Sequence, residues 1–223
     1  MVSLKRNGFT LGEVLMAVVI TGIIAVLTIP SMIKDMHLKS RMALLKNTVA
    51  NINNVIEMEF TKSRATSLID TDIYKEPKTF LQKFDIATKG EPFANLYKKH
   101  SDTKEASEVL IPSDSKEGEG AVLLKNGVGV GIINNSENDT TYVVIDVNGK
   151  QEPNIIGADY FILKIERENG NGHKAGDTSS FSNGSTDGEE ETNASLKQSC
   201  NDGDGAACYR MVELSAFNPK YLE

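Results

Sequence analysis

GFTLGEVLMAVVITGIIAVLTIPSMI, residues 8–33, is the most informative stretch of this chain. Between Phe9 and Ile33 the one charged side chain is Glu13. A helix rises about 1.5 Å per residue and a hydrocarbon core is about 30 Å thick, so the run reads as a membrane span that carries a carboxylate. A central acid costs roughly 2.5–3.5 kcal/mol on insertion scales, whereas each Leu, Ile or Val returns about 0.3–0.6. Ten such residues lie between Val14 and Ile29, so insertion wins by a small margin. An acid retained at that expense marks a functional residue in need of a partner.

The residues before the span define its type. A secretory signal peptide places its cut after the apolar segment and discards it. Here the order differs: residues 1–8 are short, polar and basic through Lys5 and Arg6, and the small residue Gly8 precedes the apolar run. A cut at Gly8 would keep the span. With Phe9 first after that cut, Glu13 is fifth, Gly22 fourteenth and Pro30 twenty-second. This arrangement resembles the type IV prepilin family, which includes type IV pilins and the pseudopilins of type II secretion. Gly12 departs from the pattern, since a larger apolar residue is commoner there. The resemblance implies that a prepilin peptidase cuts between Gly8 and Phe9 and methylates the new amine of Phe9. It further implies that Glu13 faces the Phe9 amine of a neighbouring subunit, and that the helix around Gly22 and Pro30 can partly melt during assembly. Losing one partner of a buried ion pair typically costs about 3–5 kcal/mol, which suits a register and recruitment device. The plainer alternative is an ordinary single-span anchor with a stray acid near the cytoplasmic interface.

Two cations just before the span leave the N-terminus in the cytoplasm and export the chain beyond residue 33. The expected location is therefore a bacterial inner membrane, with the mature body periplasmic or extracellular. The formal net charge of −7 becomes −9 when Lys5 and Arg6 leave, which gives no nucleic-acid footprint. At 223 residues the chain suits one modest domain with attachments. Cys200 and Cys208 are its two cysteines, and an oxidising compartment favours a bridge between them.

The expected organisation is a cleaved leader at 1–8, a membrane-spanning and polymerising half-helix at 9–33, and an amphipathic half at 34–62. Pro30 lacks the amide that would bond the Val26 carbonyl, so the helix should kink or loosen there, with Gly22 a second weak point. Leu38, Met42, Leu45, Val49, Ile52 and Ile56 recur at gaps of four and three, one apolar stripe facing a core. The two halves together make one helix on the order of 80 Å long. A connecting segment covers 63–120, in which 77–84 and 93–97 each read as a short helix. A sheet of four antiparallel strands occupies 121–166. Asn126-Gly127 predicts a two-residue hairpin turn. Gly127, Gly129 and Gly131 share a bare face that invites close approach by the long helix or a neighbour, or else marks a thin edge strand. Val143, Ile145 and Val147, and Phe161, Leu163 and Ile165, alternate as in a half-buried sheet. The expected fold class is α+β: a long helix, membrane-spanning in its first half, packed on a small antiparallel sheet as in pilins.

Residues 146–161, DVNGKQEPNIIGADYF, resemble a segment carried by a subset of pilin-like proteins, some of whose pseudopilin relatives bind calcium near the sheet. Asp146, Asn148 and Asp159 are weak calcium candidates, but their spacing fails the EF-hand pattern and an Asn-Gly turn is preferred. No other metal or cofactor is expected. Residues 167–199 read as a mobile acidic loop, since their Gly, Ser, Asn and Glu content buries little surface. Asn183-Gly184-Ser185 formally fits a glycosylation acceptor but is too common a pattern to use. Residues 200–223 form a disulfide-closed C-terminal region, where Asp202 and Asp204 suit a glycine-rich turn better than a cation site. Zinc is disfavoured by having two thiols and no nearby histidine.

An enzyme is not expected, because His37, His100 and His173 are scattered and no nucleophile and base pair can be drawn. The expected partners are other pilin or pseudopilin subunits, the prepilin peptidase, an inner-membrane assembly platform and, before assembly, membrane lipid. The competing class is a single-span anchored ligand-binding protein that never polymerises.

Overall fold

The apolar run and the amphipathic stripe belong to one element. A computed structural model describes residues 8–65, 70–89, 96–97, 120–135, 140–149, 151–152, 154–165 and 193–218, and in it helix α1 spans Leu11–Ser63. Contacts divide the chain into two units, Met1–Ser40 and Arg41–Glu223. In the first, none of the described residues is buried, and the helix is long and apolar enough to cross a membrane. Pro30 sits inside the helix, so the Val26 carbonyl loses its amide partner while the helical path continues. Thr21 and Thr28 turn their hydroxyls back onto the carbonyls of Ala17 (2.7 Å) and Ile24 (2.9 Å). That leaves both hydroxyl donors satisfied within the helix itself, which a medium without hydrogen-bonding groups would require.

In the second unit the stripe does what its spacing predicts. Met42, Leu45, Val49 and Ile52 are buried and Ile56 is half-buried, joined by Val55 and Phe60. They share one apolar cluster with a sheet of five strands, not four. The extra strand is β1 (Ile86–Lys89), which lies inside the segment read as a connector and pairs antiparallel with β3 (Ala121–Leu124). β4 (Gly129–Asn135), β5 (Thr140–Asp146) and β7 (Tyr160–Ile165) complete the order β1-β3-β4-β5-β7, every neighbouring pair antiparallel. β2 (Leu96–Tyr97), expected as part of a short helix, instead pairs parallel with β6 (Asn154–Ile155).

Three further expectations change. The β3–β4 hairpin turns through 125–127 with positive φ at Gly127 (+86°) and not at Asn126. It closes through Gly127 N–H to Leu124 O and Leu124 N–H to Val128 O, the three-residue loop ending in a left-handed glycine. Gly127 thus stands outside the strand. Gly129 and Gly131 lie in a central strand flanked by β3 and β5, which removes the edge-strand reading. The sheet is also buried on both faces: Val143, Val144 and Ile145 are successive residues with no exposure. The second cover comes from the C-terminal helices α4 (Asn193–Asn201) and α5 (Gly205–Leu214), for a Cβ on Gly205 would stand 2.8 Å from the Ile162 side chain. α4 begins within the stretch read as loop; residues 167–192 of that stretch lie outside the described residues.

The segment after α1 folds back through α2 (Asp72–Lys75) and α3 (Pro77–Leu81), the latter as predicted with proline in its first turn. It is fastened by charge. Glu59, buried near the end of α1, pairs with Lys83, which also stands 3.6 Å from Asp72. Asn134 of β4 donates to the Tyr74 carbonyl (2.8 Å) and accepts from Thr141 (2.8 Å).

Ile52 is fully enclosed and Ile56 is not. Ile52→Ala should therefore cost about 2–5 kcal/mol and Ile56→Ala clearly less. Urea midpoints of the two variants check this; equal small losses would mean that the stripe does not face a packed core.

Candidate functional site

Gly8 and Phe9 lie before the helix, exposed, and nothing approaches within 4 Å of where a side chain on Gly8 would begin. What ends the helix there is Thr10. Its N–H and its hydroxyl both donate to Oε2 of Glu13 (2.8 Å each), and the Glu13 N–H returns a bond to the Thr10 hydroxyl at 3.3 Å. This is a capping box, in which two amides that the first helical turn leaves unpaired are satisfied reciprocally. Its signal, Thr-x-x-Glu ahead of an apolar run, is legible as Thr10-Leu11-Gly12-Glu13, and it adds an intrachain partner to the intermolecular one expected for Glu13. The carboxylate is therefore held by two hydrogen-bond donors of its own chain. Gly22 is also open, with nothing within 4 Å of its missing side chain.

The three calcium candidates do come together. The 146–149 turn is the Asn-Gly turn the sequence favours: Asp146 Oδ1 accepts from the amides of Asn148 and Gly149 (3.1 Å each), and Gly149 takes φ +60°. Asn148 then donates through Nδ2 to Asp159 Oδ2 (3.0 Å), and Asp159 Oδ1 accepts from the Ile155 amide. Calcium takes six to eight oxygens. Here two carboxylates are already engaged by protein donors, Asn148 presents nitrogen to Asp159, and no group of three or more His, Cys, Asp or Glu is gathered among the described residues. Oδ2 of Asp146 and Oδ1 of Asn148 are enclosed and accept no hydrogen bond, so oxygen atoms remain unengaged at this turn. Arg41 of α1 lies 3.9 Å from Asp159 as the local counter-charge. Burial pushes the Asp146 carboxyl up to about 7, helped by the charge of Asp159, while the two backbone bonds and Arg41 pull the other way. Burial likewise pushes Asp159 up to about 7 against the Ile155 amide and Arg41.

Cys200 and Cys208 form a disulfide that joins α4 to α5, and both are buried. Asp204 of the intervening turn caps α5, accepting from the amides of Ala206 (2.8 Å) and Ala207 (3.2 Å), and Asp202 accepts from Gln198. Their carboxylates are used as turn and cap acceptors, which the glycine-rich spacing allows. The bridge lies on Gly157, whose φ is +82° and whose missing Cβ would come within 2.7 Å of the Cys208 sulfur and 2.9 Å of the Cys200 sulfur. His37 is exposed on α1; His100 and His173, like Lys5 and Arg6, lie outside the described residues.

No protein-family model, curated protein or solved structure matches this chain.

Gly157→Ala meets two obstacles at once, a left-handed backbone that costs about 1–2 kcal/mol for a residue with a Cβ and a sulfur with no room to retreat. The substitution should lower the thermal midpoint clearly, and by less in a chain already carrying Cys200→Ala and Cys208→Ala. Equal losses in the two backgrounds would assign the whole cost to the backbone.

Proposed function

We propose that this chain is a structural subunit of the type IV pilin or type II secretion pseudopilin kind, a prepilin cut after Gly8, methylated at Phe9 and assembled through the apolar half of α1. One observation carries the reading: among the described residues, none in that half of the helix is buried. Leu11 is 90% and Phe9 87% exposed, and Val14, Leu15, Val18, Ile23, Leu27 and Met32 are each at least half exposed. Contiguous apolar surface on that scale marks a membrane or an interface. Lipid covers it before assembly and neighbouring pilin or pseudopilin subunits cover it afterwards.

The remaining features support the same sequence of events. Gly8 and Phe9 stand exposed and outside the helix, in a form that a prepilin peptidase can accommodate. The two leader cations would hold the uncut chain with its N-terminus in the cytoplasm of a bacterial inner membrane, where the assembly platform recruits it. Glu13 is the one charge in the span and so the natural mark for setting the stagger between subunits. The body from Arg41 onward then belongs to the periplasm or the cell exterior, in keeping with the Cys200–Cys208 bridge. The reading assigns no reaction to the chain itself.

The Thr10–Glu13 pair favours a second reading, a single-span anchor carrying a ligand-binding domain, in which Glu13 serves only its own helix. Mass spectrometry of the protein from its native cell distinguishes the two: the first reading requires a mature chain beginning at N-methylated Phe9, the second an intact Met1. Glu13→Ala removes the capping box in either case. It should abolish incorporation into filaments or a secretion assembly under the first reading, and leave membrane insertion and body folding intact under the second.

A further inference from the structure

Two Asn-Gly pairs lie among the described residues, Asn126-Gly127 in the β3–β4 turn and Asn148-Gly149 in the 146–149 turn. The same dipeptide meets opposite surroundings. Lys125, Asn126 and Gly127 are all exposed, and nothing lies within 4 Å of where a Gly127 side chain would begin. Asn126 accepts the Val128 N–H on Oδ1 at 3.1 Å, and its side-chain nitrogen makes no hydrogen bond among the described residues. Asn148 is half-buried, and its side-chain nitrogen is held on Asp159 Oδ2 at 3.0 Å. The two turns also touch. A Cβ on Gly149 would run into the Gly127 carbonyl oxygen and come within 3.0 Å of the Leu123 side chain, so main chain lies directly against main chain there.

An asparagine followed by glycine has a nucleophile next to its own carboxamide, and the glycine brings no Cβ to obstruct the approach. At Asn126 the new bond joins the Gly127 nitrogen to Cγ. The Cγ–Nδ2 bond breaks, and the Gly127 amide proton leaves with that nitrogen as ammonia. Water then opens the cyclic imide at either carbonyl, giving aspartate, or isoaspartate whose main chain runs through Cβ and Cγ. The Val128 N–H, already on Oδ1, is placed to stabilise the negative charge that gathers on that oxygen during the attack. The Gly127 N–H is bonded to the Leu124 carbonyl at 2.9 Å, a turn bond that opens first. We propose that Asn126 is a self-modification site, converted by Gly127 and water to aspartate and isoaspartate, while the bond to Asp159 keeps Asn148 intact.

The two products differ in what they do to the fold. Aspartate adds a negative charge beside Lys125, which already pairs with Asp85 at 2.7 Å, and leaves the main chain at its original length. Isoaspartate adds the same charge and lengthens the main chain by one carbon between residues 126 and 127. That carbon enters next to the Gly127 carbonyl, the atom against which Gly149 packs, so the hairpin end and the 146–149 turn are pushed apart. This inference concerns the body alone and holds whether the apolar half of α1 meets lipid or other subunits.

Ageing the full chain in detergent micelles at mildly alkaline pH, beside the same chain in urea, decides the matter by mass spectrometry. Trypsin cuts after Lys125 and Lys150, so both asparagines fall in one peptide, and electron-transfer fragmentation assigns each conversion and separates aspartate from isoaspartate. A side chain hydrogen-bonded to a charged acceptor is held strongly enough that Asn126 should convert at least about tenfold faster than Asn148 in micelles. In urea the two should convert at similar rates. The isoaspartyl chain, resolved by chromatography, should melt below the Asn126→Asp variant, which carries the charge without the added carbon. Asn148 converting as fast as Asn126 in the folded chain, Asn126 staying intact in micelles while it converts in urea, or an isoaspartyl chain as stable as Asn126→Asp would each overturn the proposal.

Discussion

A helix that changes from wholly apolar to amphipathic along its length is the constraint the rest of this molecule answers. In its first part α1 is apolar on every side, and none of the described residues there is buried. In its second part the apolar residues narrow to the line Met42, Leu45, Val49 and Ile52, and the sheet is built to receive that line. The two parts are covalently continuous within the one helix Leu11–Ser63, the first an apolar rod. Hydroxyls turned back on Ala17 and Ile24, and a carboxylate tied to Thr10, show the polar groups of the rod satisfied from within it. Such a rod is prepared for a medium that offers no hydrogen bonds.

Much of this is legible in the sequence because period and charge act over many residues. The stripe spans several turns, so single errors do not hide it, and the burial of Leu45 and Ile52 follows directly. The 146–149 turn is legible for a different reason, since Asn-Gly has few other uses. The signals that fail are short or depend on distant partners. Ile86-Ala87-Thr88-Lys89 becomes a strand only because Leu123 and its neighbours offer an edge to pair with. Leu96-Tyr97 is two residues long and gains its state from Asn154 and Ile155. Alternation in β5 predicts a half-buried sheet, which Val144 contradicts; the cover arrives from α5, more than forty residues beyond Ile162 in the chain. The capping box is local and readable in Thr10 and Glu13, but the same carboxylate is the one charge of the span, and that more conspicuous property hides its bond to Thr10.

The C-terminal helices tie these pieces together. Asp204 starts α5, Gly205 lets it close on Ile162, and Cys208 then meets Cys200 above Gly157. Gly157 lies two residues before Asp159, so the bridge bears on the same turn that Asn148 and Arg41 hold from the other side. Side-chain size and charge are both restricted there: Gly157 because the sulfurs need the room, and Asp159 because the Ile155 amide and Arg41 are its partners. A turn exposed to solvent would tolerate many residues at these positions, whereas this one is enclosed between β7 and the bridge.

The geometry at Glu13 carries one last implication. Both Thr10 donors converge on a single oxygen, Oε2, so the other lobe of the carboxylate takes no part in starting the helix. A foreign ammonium or amide could therefore dock on Oε1 while the intrachain bonds stay whole. One anion would then serve two masters at once, ordering its own chain end and greeting a visitor in an orientation already fixed.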